Sequence, residues 1–214
     1  MLPDLVVAVF LVVCLVVFYG ANLHNLLKFR RSKKGAEYSA EAEVSHEPVL
    51  ALAALGTFAL FVESAAYSVL VFLNLQSVLT DSWLQLHFLY DSCVQTFGIS
   101  MIAFGYSLFI WSVLARGRYS TAWEMPENHK LVTWGPYRYV RHPSYLAYFI
   151  LFTGLFLTLL NIVAIAPLLA VPGYVRITAI EEELLTRRFG DTYKQYQQET
   201  GKFWAKRKRQ NSSS

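Results

Sequence analysis

Residues 145–180 read YLAYFILFTGLFLTLLNIVAIAPLLAVPGYVRITAI. Arg176 is the one charged side chain in this run of roughly 35 residues. About 20 apolar residues suffice for a helix to cross the hydrocarbon core of a bilayer, so the run is too long for one span. Asn161, Pro167, Pro172 and Gly173 interrupt its second half. Proline removes a backbone donor and crowds the preceding helical turn, and such residues punctuate an apolar run. The run therefore predicts two short helices that turn near Asn161, a hairpin returning to the side on which it begins.

Three more apolar stretches precede the hairpin, over residues 5–23, 49–79 and 83–115. The second and third are longer than an upright span needs, an excess that tilt or an interfacial extension absorbs. The chain is 55% hydrophobic and 16% charged, whereas soluble domains carry about 25% charged residues. Composition and run length together indicate a membrane protein. The first apolar run has no basic segment before it and a charged stretch after it, so it reads as a retained anchor rather than a cleaved signal peptide. Cys14 and Cys93 both sit in apolar runs, where they suit buried packing better than a disulfide framework.

Charge distribution sets the predicted topology. All 19 Lys and Arg fall into three segments: the loop 28–48, the segment 116–144, and the chain from Arg176 onward. The turns near residues 74–82 and 161 hold none. Under the positive-inside rule the basic segments face the cytosol. The result is an all-α membrane protein with about five transmembrane helices, a lumenal N-terminus and a cytosolic C-terminus. Its parts are three N-terminal spans over 1–115 with a cytosolic loop at 28–48, a region over 116–200 that includes the hairpin, and a basic tail over 201–214. Lys206–Arg209 in that tail suits anionic lipid rather than nucleic acid. Ionisable residues within spans flag function by default, but Glu63, His87 and Asp91 fit structural polar contacts better.

Two polar blocks flank the hairpin. The first, His129–Tyr145, reads HKLVTWGPYRYVRHPSY, and its two prolines forbid one continuous helix. Polar side chains can then converge at the membrane surface. The second, Arg176–Gly190, reads RITAIEEELLTRRFG. Three adjacent acids at a helix exit, Glu181, Glu182 and Glu183, repel one another and call for a cation, whether sulfonium, ammonium or Arg141. Basic and aromatic residues beside a span also occur as plain interfacial anchors, and composition alone favours that reading.

The spacing of the whole set changes the balance. His129, Leu131, Val132, Thr133, Gly135, Tyr137, Arg141, His142, Pro143, Ser144 and Tyr145 precede the hairpin; Glu181, Glu182, Leu185, Phe189, Gly190, Tyr193 and Tyr196 follow it. This two-block pattern resembles the isoprenylcysteine carboxyl methyltransferase family of integral membrane enzymes. The resemblance covers about residues 116–196. It implies a cytosolic pocket for S-adenosylmethionine, with contacts from His129, Lys130, Leu131, Val132, Tyr137, His142, Pro143, Ser144, Tyr145 and Glu181. It also implies methyl transfer to the C-terminal carboxylate of a prenylated cysteine, residence in the endoplasmic reticulum membrane, and prenylated protein C-termini and membrane lipid as partners. No metal is implied. Aromatic rings can face a sulfonium, Glu181 can pair with the cofactor's ammonium, and Arg141 can pair with a carboxylate.

Two departures bear on the site. Ala147 stands where the family usually has glycine, which is still small enough for close helix packing. Arg176 lies five residues before Glu181, where the family tends to place its arginine four before. One residue rotates a side chain by about 100°, so Arg176 reaches the pocket only if the helix is irregular near Gly173. Arg141, then Arg176, are the candidates to hold the substrate carboxylate. Three alternatives stay open: a phospholipid N-methyltransferase, a sterol-type membrane reductase and a non-catalytic scaffold. Against the reductase, Leu146, Ala147 and Tyr148 stand where an acidic residue is expected.

Overall fold

The computed structural model describes residues 1–33, 38–40, 48–117, 124–126 and 130–206. Helix α1 spans Asp4–Lys33, α2 Pro48–Phe72, α3 Ser77–Thr80, α4 Asp91–Arg116, α5 Pro143–Leu159, α6 Ala170–Phe189 and α7 Asp191–Glu199. Four segments are long and apolar enough to cross a membrane: Asp4–His24, Pro48–Phe72, Asp91–Arg116 and Ile162–Phe189. Pro143–Leu159 is a shorter apolar helix, so the chain is all-α with four to five membrane helices. A minor addition is a pair of antiparallel strands, β1 at Tyr38–Ala40 and β2 at Glu124–Pro126, with Ser39 opposite Met125.

The hairpin forms where the sequence places it. Pro143 occupies the first turn of α5, where its missing N–H costs nothing. Leu160 ends the helix in the left-handed region at φ 50°, and its N–H bonds back to Phe156 O. Asn161 then caps the next turn, its Oδ1 accepting from Val163 N at 3.0 Å. Pro167 sits within a 3-10 stretch, Ile162–Leu169, that leads into α6. Helix α6 is continuous through Gly173. That glycine therefore supplies no irregularity; it serves packing, because a Cβ there would lie 2.6 Å from Ala53 N.

The stretch 49–79 gives one unbroken helix, α2, followed by a connection over 73–90 that contains the short helix α3. That connection folds back onto the hairpin turn: Leu86 N donates to Leu160 O at 2.7 Å and Ile162 N to Leu84 O at 2.9 Å. Asp91 opens α4 by accepting from Phe88 N at 2.5 Å, and its Oδ2 lies 3.6 Å from His87 Nδ1. Both residues thus make polar contacts where the connection enters α4.

Glycine permits the close crossings. Between α4 and α5, a Cβ at Gly98 would lie 2.6 Å from Thr158 Oγ1, and one at Gly154 would lie 3.0 Å from Gly98 O. Ala147, fully buried, faces Gly105 across the same interface. Between α2 and α6, a Cβ at Gly56 would lie 2.6 Å from Ala170 Cβ. Lipid-solvated helices gain little from hydrophobic sorting and associate through backbone approach of this kind. Phe18 of α1 packs on Phe61, Tyr106 and Phe109, joining α1 to α2 and α4. Chain direction then fixes one end of the bundle: the end of α4, the start of α5 and the end of α6 lie together.

Candidate active site

Three segments meet at that end because Pro136 and Pro143 break the chain between α4 and α5. Residues 134–138 fold onto the end of α4, where Trp134 Nε1 donates to Ala115 O at 2.9 Å. Gly135 takes φ 61° there, and a Cβ on it would lie 3.0 Å from Ala115 Cβ. Residues 140–142 then run beside 201–202, with Arg141 N donating to Gly201 O at 2.9 Å and His142 N to Lys202 O at 3.1 Å. A Cβ on Gly201 would collide with the Trp204 backbone. The sequence assigns residue 201 onward to the tail; the structure instead makes 201–203 a wall of the site.

The charged groups form one network across the hairpin. Arg141 Nε donates to Glu182 Oε1 at 2.8 Å, and the same oxygen lies 3.2 Å from His142 Nε2. Arg141 Nη1 also donates to Thr200 O and to Gln197 O. His142 Nδ1 lies 3.5 Å from Glu181 Oε2, and the Tyr145 hydroxyl donates to Glu181 Oε1 at 2.7 Å. Burial pushes the His142 pKa down, but hydrogen bonds and charge from Glu181 and Glu182 outweigh it. The net shift is upward, favouring the imidazolium.

Aromatic rings pack beside this network. His142 stacks on Tyr145 at 5.8 Å and 20°, and Tyr148 on Tyr174 at 5.2 Å and 12°. Tyr145 meets Tyr174 at 5.0 Å, while Phe203 meets Phe149 at 5.2 Å. The Tyr174 hydroxyl shares a 2.6 Å hydrogen bond with Thr57, tying α6 to α2. Arg116, the last residue of α4, carries its guanidinium 6.0 Å from the Tyr137 ring centroid. Its charge interacts with Tyr137, Tyr145, Tyr148 and Glu181. The Tyr196 hydroxyl of α7 donates to Tyr137 O at 2.6 Å, fixing the loop.

Residues 94–192 match the phospholipid methyltransferase family model. A protein-S-isoprenylcysteine O-methyltransferase of Schizosaccharomyces pombe is 33% identical over 110 residues, which cover 49% of this chain and 47% of that protein. Protein-S-isoprenylcysteine O-methyltransferase B of Arabidopsis thaliana is 36% identical over 110 residues, 49% of this chain and 56% of that one. The matched stretch is thus similar to the isoprenylcysteine O-methyltransferases. It spans about half the length of the curated relatives it matches. A solved eukaryotic intramembrane Ras methyltransferase, an isoprenylcysteine carboxyl methyltransferase, is 26% identical with a TM-score of 0.47, over 75% of this chain and 53% of that one.

The residues expected to contact a cofactor divide into three groups. Tyr137, His142, Pro143, Ser144 and Glu181 are buried, Tyr145 partly so, and His142, Tyr145 and Glu181 touch one another. Val132 is buried, Leu131 partly buried and Lys130 exposed. His129 lies outside the described residues. The two candidate catalytic arginines come out differently from expectation. Arg141 is engaged by Glu182 and two backbone carbonyls, so it braces the hairpin against α7. Arg176 lies on the exposed face of α6, about 140° around the helix from Glu181 by the pitch of 100° per residue.

Sequence reasoning passed over four residues of the site. Arg116 counted only toward topology, although a cation closing a span beside a tyrosine-rich loop was a visible signal. Tyr148 and Tyr174 fall among apolar residues and read as core. Phe203 carries no local signal, since its place depends on the pairing of 201–202 with 141–142.

Proposed function

We propose that the chain transfers a methyl group from S-adenosylmethionine to the C-terminal carboxylate of a prenylated cysteine, forming a methyl ester. The carrying observation is the Arg141–Glu182–His142–Glu181–Tyr145 network, which joins the two motif blocks into one site. The donor set fits the cofactor: Glu181 for its ammonium and the rings of Tyr137, Tyr145 and Tyr148 for its sulfonium. Bound S-adenosylmethionine would supply an electrophilic methyl.

The chain's own residues orient and desolvate. A C-terminal carboxylate is ionised at neutral pH, with a pKa near 3.5, so it needs no general base. Arg116 is our candidate to hold a carboxylate in the pocket, in place of Arg141 and Arg176. Aromatic walls exclude water, and alignment of reactants can lower a barrier by roughly 7–11 kcal/mol. A prenyl chain would enter between helices from the bilayer. An amine acceptor must first lose a proton and a carboxylate need not; the two similar proteins, both isoprenylcysteine O-methyltransferases, favour the carboxylate over a phospholipid amine. We read this end of the bundle as cytosolic from the distribution of Lys and Arg, and the family resemblance suggests the endoplasmic reticulum.

The test is purified protein in detergent with labelled S-adenosylmethionine and a farnesylcysteine analogue. A base-labile methyl ester is expected. Its absence, with phosphatidylethanolamine methylated instead, would transfer the proposal to the lipid acceptor.

A further inference from the structure

The turn that walls the site has a second face. Residue 201 bridges Val140 in the parallel sense, so the turn enters beside the stretch that leads into α5 and runs, like it, toward the bilayer. Phe203 reaches Phe149 at 5.2 Å. Phe149 lies six residues beyond Pro143, about 9 Å down α5 at 1.5 Å per residue. The next residue, Trp204, is 79% exposed. The chain then turns back, and Lys206 Nζ donates to Gln197 O at 2.7 Å and Gln198 O at 3.2 Å at the end of α7. An exposed indole beside the second turn of a membrane helix sits at head-group level, where tryptophan anchors chains to the interface.

Charge selects the lipid. Residues 200–214 contain Lys202, Lys206, Arg207, Lys208 and Arg209 and no acid; the stretch 130–145 has no acid either. Lys202 lies on the turn itself, its Nζ 5.8 Å from the Phe203 ring centroid. A neutral head group accommodates the indole but leaves this charge without a counter-ion. An anionic one serves both, and each Lys or Arg near such a surface raises affinity about fivefold.

The inner face of the same turn holds the site. Gly201 O and Lys202 O accept from Arg141 N and His142 N, and the Phe203 ring lies 6.1 Å from that of His142. We propose that the turn 201–204 docks on an anionic phospholipid surface through Trp204 and Lys202, and that docking seats the wall of the site formed with Arg141 and His142. A surface that binds only the seated turn stabilises it by mass action. The proposal extends the lipid affinity of the tail to a device that reaches the site, and it needs nothing from the methyl-transfer reading.

The experiment uses the full chain in vesicles of mixed phosphatidylcholine and phosphatidylglycerol. Brominated acyl chains, which quench nearby indoles, are carried by one lipid or the other at a fixed overall composition. The chain has five tryptophans, so the Trp204 signal is the difference between the native chain and Trp204→Phe. Stronger quenching from brominated phosphatidylglycerol is expected, with the preference lost at high salt and reduced about fivefold by Lys202→Gln. Lys202→Gln leaves the Lys206 cap of α7 in place, so it tests charge without disturbing that helix. The second readout is hydrogen exchange at the Arg141 and His142 amides, which is expected to slow as phosphatidylglycerol content rises in the native chain and to respond less in Lys202→Gln. Equal quenching by the two lipids, a Trp204 signal quenched only by aqueous iodide, or amide exchange indifferent to phosphatidylglycerol overturns the proposal. Neither readout uses S-adenosylmethionine or a methyl acceptor, so failure here is distinct from failure of the methyl-transfer reading.

Discussion

Removing Glu182 and Arg141 together should cost this protein less than the two single losses added. The Arg141 side chain is 10% exposed and that of Glu182 16%, with 2.8 Å between Nε and Oε1. Breaking a buried pair by deleting one partner costs about 3–5 kcal/mol, because the other charge is left uncompensated. Arg141 keeps its bonds to Gln197 O and Thr200 O, so Glu182→Ala is expected nearer 2–3 kcal/mol, at the lower edge of that range. For a chain of this size that corresponds to a fall of roughly 5–10 °C in unfolding temperature. Arg141→Ala should cost a similar amount, since Glu182 then retains only His142. The double variant removes both charges and should fall short of the sum by about 1–2 kcal/mol, within the usual coupling range for contacting residues. The assay is thermal unfolding in one detergent for all four members of the cycle, with binding of a labelled S-adenosylmethionine analogue as a second readout. Additive losses would refute the pairing as a shared brace, and with it the claim that this network joins the two blocks.

Three further outcomes follow from the geometry. The His142 pKa is raised in the folded chain, so its contribution to stability is full below the unfolded value near 6.5. That contribution is lost as pH rises through the raised folded value; unfolding temperature should fall over that window in the native chain and stay flat in His142→Gln. Gly98→Ala meets the Thr158 backbone N at 2.7 Å, whereas Gly105→Ala meets the flexible Leu151 side chain at 2.9 Å. The first should cost about 1–3 kcal/mol by overpacking and the second clearly less, as read from unfolding midpoints. Arg116→Ala should lower kcat/KM toward the prenylcysteine substrate by about 10–100-fold, as loss of a charged hydrogen bond does, while Arg176→Ala stays within twofold; equal losses would count against Arg116.

Much of this molecule is legible in its sequence because lipid imposes simple rules. Run length determines which segments are helices, since every backbone group must be satisfied within the segment. The over-long run 145–180 fixes a hairpin, and Asn161 fixes its turn. Motif spacing was enough to nominate His142, Tyr145 and Glu181, which the structure brings into contact. The tertiary structure alone decided which charges face the pocket. The sequence left Arg141 two partners, a carboxylate from outside and the Glu181–Glu183 run, and the fold pairs it with Glu182 at 2.8 Å. Arg116 and Phe203 enter the site only because the loop folds onto α4 and residues 201–202 pair with 141–142. Helical periodicity along one segment specifies the angle of a side chain but not the neighbour it meets. That neighbour depends on the glycine-set crossings of α4 with α5 and α2 with α6, which are close approaches between segments far apart in the chain.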